Sequence, residues 1–374
     1  MSAVAKPKRV QPVVYDLGLL FPVLLLVGMG IVMVYSASSA LALKKFGSDY
    51  FFLKKQAAFS LIGIVMLVVF SYIPFRLYRT LAYPALAVAI AMLVAVAFSE
   101  WGVAAGGSAR WLQLGPLRFQ PSELARLALV TYLAYSMSKK DERLRDFYVG
   151  FLPHLIVLSV LASLLLLQPD FGSAVVLAAL TWIMLFVGGC RITHLLSAIV
   201  ALAPIAWLFM HQADYRVRRL MSFLDPWQYP TAEGYQIIHS LMAFGTGGVT
   251  GAGLGKGYQK LFYLPEPHTD FIFSVVGEEL GLIGVMIVIL LYGIILTRGI
   301  RIARNTPDRF GSFMAMGITV TIGLQVCINM GVALGLLPTK GLTLPFLSYG
   351  GTNLLTNMAA VGILMNIGAR NARH

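Results

Sequence analysis

Runs of apolar residues too long for the elements of a soluble core recur from one end of this chain to the other. In order they are Leu17 to Tyr35, Phe52 to Ile73, Leu81 to Phe98, Pro121 to Met137, Phe151 to Leu167, Phe171 to Gly189, Ile192 to Met210, Phe271 to Leu296, Phe310 to Leu334 and Leu344 to Ile367. Each holds roughly 17 to 25 residues, enough to cross a hydrocarbon core of about 30 Å as a helix. Strands of a membrane β-barrel would alternate apolar and polar over about ten residues, and these runs do not alternate. Composition agrees: 58% of the 374 residues are hydrophobic and 12% are charged, which excludes an ordinary soluble domain. The expectation is an all-α polytopic membrane protein of about ten transmembrane helices, forming one membrane domain over residues 1–374. The first run follows Lys6, Lys8 and Arg9 but is too long for a signal core, so it reads as an uncleaved anchor.

The short connections set the orientation. With residues 1–16 as a cytoplasmic tail, the inside segments carry Arg76, Arg79, Lys139, Lys140, Arg143, Arg145, Arg191, Arg298, Arg301, Arg304, Arg309, Arg370 and Arg373. The short outside loops carry Lys44, Lys45, Arg110, Arg118 and Lys340, with Lys54 and Lys55 at the mouth of the second span. The positive-inside rule then places both termini in the cytoplasm. The net charge of +13 reads as attraction to anionic lipid headgroups, and no nucleic-acid partner is expected.

This topology sends residues 211–270, the one long loop, to the outer face between the seventh and eighth spans. A loop of about 60 residues far exceeds ordinary connection lengths and argues for a functional element with its own structure. Within it, Glu233 to Phe244 carries the apolar stripe Ile237, Ile238, Leu241, Met242 and Phe244 of an interfacial amphipathic helix. Gln236 in that helix is a candidate substrate contact. Arg216, Arg218, Arg219, Lys256 and Lys260 either touch headgroups or hold an anionic head such as a diphosphate. The stretch Gly251 to Gly257 (GAGLGKG) lacks the Gly and Ser/Thr that a phosphate loop needs where Thr250 and Gly257 stand, and reads as a Gly-rich surface turn. Cys190 and Cys327 fall too far apart in the topology for a disulfide, and the six His give no zinc spacing.

The loop ends in Leu261 to Gly281, LFYLPEPHTDFIFSVVGEELG. Carboxylates are costly at bilayer depth, so acids here suggest function. Asp270 at the mouth is the leading candidate for chemistry, with capping of the eighth helix as the alternative. His268 beside it reads as a helper or as an interfacial residue. Glu278 and Glu279 lie about 12 Å deeper at about 1.5 Å per residue and need buried partners, for which Arg126 is a candidate. Other polar groups gather on the same side. They are Arg110 and Trp111 before the fourth span; Glu123 and Arg126, spaced for an ion pair on one helical face; Asp170, a cap of the sixth helix or a site acid; and Lys340, Ser348 and Tyr349 on the Gly-rich opening of the last span.

The stretches RWLQLGPLRFQPSELAR, QPDFGSAVVL, FLDPWQYPTAEGYQIIHSL, GLGKGYQKLFYLPEPHTDFIFSVVGEELG and GLTLPFLSYGG occur in that order. Together they resemble the SEDS family (shape, elongation, division, sporulation) of polytopic bacterial peptidoglycan polymerases. PEPHTDFIF and LPFLSYGG are more similar to its division-type members than to its elongation-type members. The resemblance implies a ten-helix fold with a large outer loop, in the bacterial inner membrane at the septum. It implies a glycosyltransferase that polymerises lipid II into glycan strands, with the family's essential acid falling on Asp270 and its fourth-span acid and base on Glu123 and Arg126. Family members commonly have Lys at the Arg126 position, a change that keeps the charge and alters the geometry. Asp270 would act as general base on the acceptor hydroxyl. The leaving diphosphate would be met by Arg110, Arg216, Arg218, Lys256, Lys260 or Lys340, with a divalent cation, Mg or Mn, as a further expectation. Implied partners are lipid II, the growing lipid-linked strand, a class B penicillin-binding transpeptidase, and other divisome or elongation membrane proteins. The rival functions are a lipid II flippase and a non-catalytic scaffold for a transpeptidase.

Overall fold

The computed structural model describes residues 16–100, 102–105, 108–114, 117–211, 214–231, 234–261 and 264–371. Among these residues ten long helices form the body: α1 (Leu17–Phe46), α2 (Phe51–Tyr72), α3 (Arg76–Phe98), α4 (Pro121–Lys139), α5 (Leu152–Leu167), α6 (Phe171–Val187), α7 (Ile192–His211), then α10 (Ile272–Asn305), α11 (Arg309–Ala333) and α12 (Gly351–Asn371). Between α7 and α10 the long loop carries two shorter helices, α8 (Asp214–Leu224) and α9 (Tyr235–Gly247). The multi-pass helical architecture is the one the apolar runs imply.

Six of these helices are long and apolar enough to cross a membrane by length and composition among the described residues. Two others, α4 and α12, fall below that threshold because their polar residues point into the bundle. Glu123, Arg126, Thr131 and Ser136 of α4, and Asn353, Asn357 and Asn366 of α12, are all buried. Apolar side chains such as Leu61, Val65, Ile283 and Leu290 stay exposed instead, the inverted arrangement that a lipid-facing surface favours. Packing is close where glycine permits: a β-carbon on Gly30 of α1 would stand 2.7 Å from the Phe346 carbonyl oxygen. α11 packs against α4 and α10, and α12 lies along α2.

Short connections force neighbouring helices to run antiparallel. The C-termini of α1, α3, α5, α7 and α11 therefore share one end of the bundle with the N-termini of α2, α4, α6, α10 and α12. The candidate site is built at this end.

Several elements differ from the sequence expectations. The segment before α4 is not a plain loop but an antiparallel sheet of β1 (Gly102–Ala105), β2 (Ser108–Leu114) and β3 (Leu117–Phe119), in the order β1-β2-β3. Leu112 of β2 faces Gly102 on one side and Phe119 on the other. The last helix starts at Gly351 rather than Leu344, because Phe346 takes a positive φ of 66° and the Leu344 N–H is spent on the Ser348 hydroxyl at 2.8 Å. The expected interfacial helix forms as α9, yet it does not simply float on lipid. Ser240 bonds Ser274 of α10 and the Ala333 carbonyl of α11, each at 2.5 Å, and Phe244 packs edge-on to Phe273 at 5.6 Å.

Candidate functional site

Asp270 sits just ahead of α10, and its side chain does not cap the helix. The N-cap position belongs to Phe271, which makes no side-chain capping bond, and its carbonyl accepts from Ser274 N at 3.0 Å. The neighbouring Thr269 hydroxyl turns back to the Glu266 carbonyl at 3.2 Å. The Asp270 carboxylate is thus left for other work.

Its surroundings come from three separate connections. A β-carbon on Gly341 would stand 3.1 Å from Asp270 Oδ2 and 3.8 Å from Arg110 Nη1. A methyl group there would make the carboxylate give by a few tenths of an ångström, so glycine leaves Asp270 unpressed by the 339–350 segment. Arg110, delivered by β2, also reaches Asp170 at 3.4 Å. Asp170 in turn caps α6, accepting from Ser173 N at 3.2 Å and from the Ser173 hydroxyl at 2.7 Å. Of the two roles posed from sequence, the cap is the one these bonds make, and the Arg110 pair sets Asp170 at the edge of the Asp270 cluster. Lys340 completes the group, with its ammonium 5.4 Å above the Phe171 ring and within electrostatic reach of Asp170.

Burial raises the Asp270 carboxyl to about 7; the Glu266 charge pushes the same way and Arg110 opposes. Burial lowers the Lys340 ammonium from its ordinary value, against the pull of Asp170. His268 is pushed down to about 4, first by burial and then by Lys45, so it is neutral near pH 7. Its ring lies 4.5 Å from Phe52 and 5.6 Å from Tyr349, and its carbonyl accepts from Tyr349 N at 2.9 Å. These contacts make His268 and Tyr349 a brace for the loop, and Ser348 is buried in its own turn.

Glu123 and Arg126 do form the ion pair that their spacing allows, buried in the body of the bundle. Asn353 donates to Glu123 at 3.0 Å, and the Gln325 amide oxygen faces Arg126 and Asn353. A small cavity opens beside the pair, lined also by Thr321, Thr356 and Asn357. Asp170 lies within electrostatic reach of Arg126 and so stands between this chamber and the Asp270 cluster.

Other candidates lie elsewhere. Lys260 is not free to meet a ligand: its ammonium is buried against Glu279 Oε1 at 2.5 Å and Ser36 Oγ at 2.9 Å. This also corrects the expected partner of the deep acids. Glu279 is held by Lys260, Ser36 and Gly255 N rather than Arg126, while Glu278 accepts from Tyr258 N at 2.7 Å and Gln259 N at 3.1 Å. The Gly-rich turn is likewise no loose surface feature. It wraps a break in α10 at Gly281, where φ is 66° and ψ is −164°, and the Gly248 and Val249 carbonyls accept from Leu282 N and Ile283 N. Lys256 is exposed, Gln236 and Trp111 are half-buried in α9 and β2, and Arg218 is exposed on α8. The Arg216 side chain lies outside the described residues.

Ser36 and Asn329 belong to this architecture and were not singled out from sequence, where Gly341 counted only as part of the Gly-rich opening of the last span. A serine and an asparagine inside apolar spans carry no local signal of which distant group they meet.

The sequence model of the FtsW/RodA/SpoVE family, described as "Cell cycle protein", matches residues 17–373. This chain belongs to the FtsW/RodA/SpoVE family. Among its relatives, a protein of Geobacter metallireducens named "Probable peptidoglycan glycosyltransferase FtsW" is 46% identical over 356 residues, 95% of each chain. The "Stage V sporulation protein E" of Bacillus subtilis is 42% identical over 361 residues, covering 96% of this chain and 98% of the relative. Two solved structures share the FtsW/RodA/SpoVE fold. One, described as "Structural coordination of polymerization and crosslinking by a peptidoglycan synthase complex", superposes with a TM-score of 0.81 at 31% identity, over 97% of this chain and all (100%) of the other. The rod shape determining protein RodA of Thermus thermophilus gives 0.69 at 30% identity, over 96% of this chain and 98% of that one. Among the described residues no three His, Cys, Asp or Glu side chains converge to hold a metal.

Proposed function

We propose that this chain is a peptidoglycan glycosyltransferase that polymerises lipid II, with Asp270 as its general base. The observation that carries the reading is the Asp270 carboxylate, spared from capping, set against Gly341 and Arg110, and shifted by burial to about 7. A general base works best with a pKa near the operating pH. The acceptor sugar hydroxyl gives its proton to Asp270 while its oxygen bonds the anomeric carbon of the donor strand. The bond from that carbon to the lipid diphosphate breaks, and the diphosphate leaves with the electron pair. Arg110 and Lys340 are the cations placed to meet that charge.

The membrane orientation belongs to the same reading. The lysines and arginines of the short loops put both termini in the cytoplasm, so the long loop and Asp270 face outward, where lipid-linked sugars are joined. We assign the protein to the inner membrane at the division septum, on the similarity of PEPHTDFIF and LPFLSYGG to division-type members. A class B transpeptidase is the proposed partner, since the structural neighbour belongs to a complex that couples polymerization and crosslinking. The intramembrane chamber around Glu123 and Arg126 is what a lipid flippase reading would use. Purified protein separates the two. A polymerase makes glycan from lipid II in detergent and Asp270→Asn abolishes the product, whereas wild-type protein that only moves labelled lipid II across vesicles would sink the polymerase.

A further inference from the structure

α11 holds one buried amide whose two hydrogens are both spent on main-chain carbonyls of the candidate site. Asn329 is 2% exposed, and its Nδ2 donates to the Asp270 carbonyl at 2.9 Å and to the Leu342 carbonyl at 2.6 Å. Both acceptors would otherwise go short. The Asp270 carbonyl lies outside the α10 ladder, whose first acceptor is Phe271, and Leu342 lies in the non-helical segment ahead of α12. A carbonyl left without a donor away from water is costly, so these two bonds set where each strand rests.

The two segments are also joined by the Tyr349 N–H donating to the His268 carbonyl at 2.9 Å. One carries Asp270, and the other carries Lys340 and Gly341, where a β-carbon would stand 3.1 Å from Asp270 Oδ2. We infer that Asn329 is a positioning residue for the polymerisation reaction, clamping the Asp270 backbone to the Lys340–Leu342 strand so that carboxylate and flanking cation keep one fixed separation. The inference rests on Asp270 being the base, and it extends that reading to a residue that touches no substrate. An aspartate at this position would present oxygens to two carbonyls, and a leucine would fill the space without donating. A displacement of about 1 Å at a catalytic group can cost on the order of 10²-fold in rate.

The test uses the full-length protein, with Asn329→Leu, Asn329→Asp and Asn329→Gln assayed for lipid II polymerisation across pH beside Asp270→Asn. Asn329→Leu is expected to lower kcat by about 10- to 100-fold with KM for lipid II nearly unchanged. It should also move the acidic limb of the pH profile down from about 7, because a carboxylate released from its burial returns toward its ordinary range. Loss of folded protein alone would scale the rate and leave that limb in place. Asn329→Gln keeps both donors on a longer arm and should recover part of kcat and of the limb; it also serves as the folded variant if the other two fail to assemble. Should Asp270→Asn be inactive while folded Asn329→Leu or Asn329→Asp keeps the wild-type limb and kcat, or while Asn329→Gln recovers neither more kcat nor more of the limb than they do, the positioning role falls and the base assignment stands. Should Asp270→Asn polymerise normally, the base assignment itself falls.

Discussion

Two sets of acids stand close together in sequence at the entry to α10, and the structure treats them oppositely. Glu279 has a lysine, a serine and a backbone amide on its carboxylate, and Glu278 has two amides on Oε1 while its Oε2 is buried without a hydrogen-bond partner. Asp270 has a glycine against it and an arginine it shares with Asp170. A carboxylate with its partners fixed is committed to holding the fold; one held short of partners keeps capacity for a proton and a substrate. Counting buried acids would rank the glutamates as the site, and counting their hydrogen bonds reverses the order.

The contrast breaks most sharply at Asp270. Asp270→Asn should lower polymerisation by at least about 100-fold while leaving the melting midpoint in detergent close to wild type. Lys260→Met should do the converse. It strands Glu279 in a buried site, a change that typically costs about 3–5 kcal/mol. The midpoint should therefore fall while the pH profile of the remaining folded enzyme stays put. A Lys260→Met protein of normal stability and no activity would move the Lys260–Glu279 pair into the catalytic apparatus.

Gly341→Ala sharpens the comparison from the other side. Its new methyl group would sit 3.1 Å from Asp270 Oδ2, and the forced shift should reduce kcat by roughly 10-fold, read in steady-state assays. The smallest effect concerns pH. The base must be unprotonated, so activity should climb with pH through about 7. Glu266→Gln removes a negative charge that raises the Asp270 pKa, so the limb should move toward lower pH. Because Glu266 is exposed, solvent screening keeps that shift modest.

The helices were legible because hydrocarbon imposes one requirement, about twenty apolar residues, that any window reveals. The Glu123–Arg126 pair was legible for a similar reason, since both partners lie on one helical face. The sheet before α4 was not: seven residues of β2, Ser108–Leu114, interrupted by glycines on either side, give too short an alternation to stand out. Lys260 was misassigned because its fate depends on Ser36 and Glu279, groups brought together only by packing of the loop onto α1 and α10. Asn329 escaped because sequence supplies no measure of which main-chain carbonyls a helix leaves over. Local pattern therefore pointed to Asp270 as the acid of the candidate site, while the groups placed around it came from long-range contacts.

The break at Gly281 has a consequence for how such a chain can change length over generations. Surface loops ordinarily accept insertions and deletions freely. Here the carbonyls of Gly248 and Val249 stand in for missing turns of α10, and a β-carbon on Gly251 would collide with the Glu279 carbonyl oxygen. Residues 247–260 are thus spliced into a helix ladder though they lie outside the helix in sequence. Length variation in the long loop should be confined to its earlier part, around residues 225–234, and a single residue added at 252–256 should disturb α10 as an insertion inside the helix would.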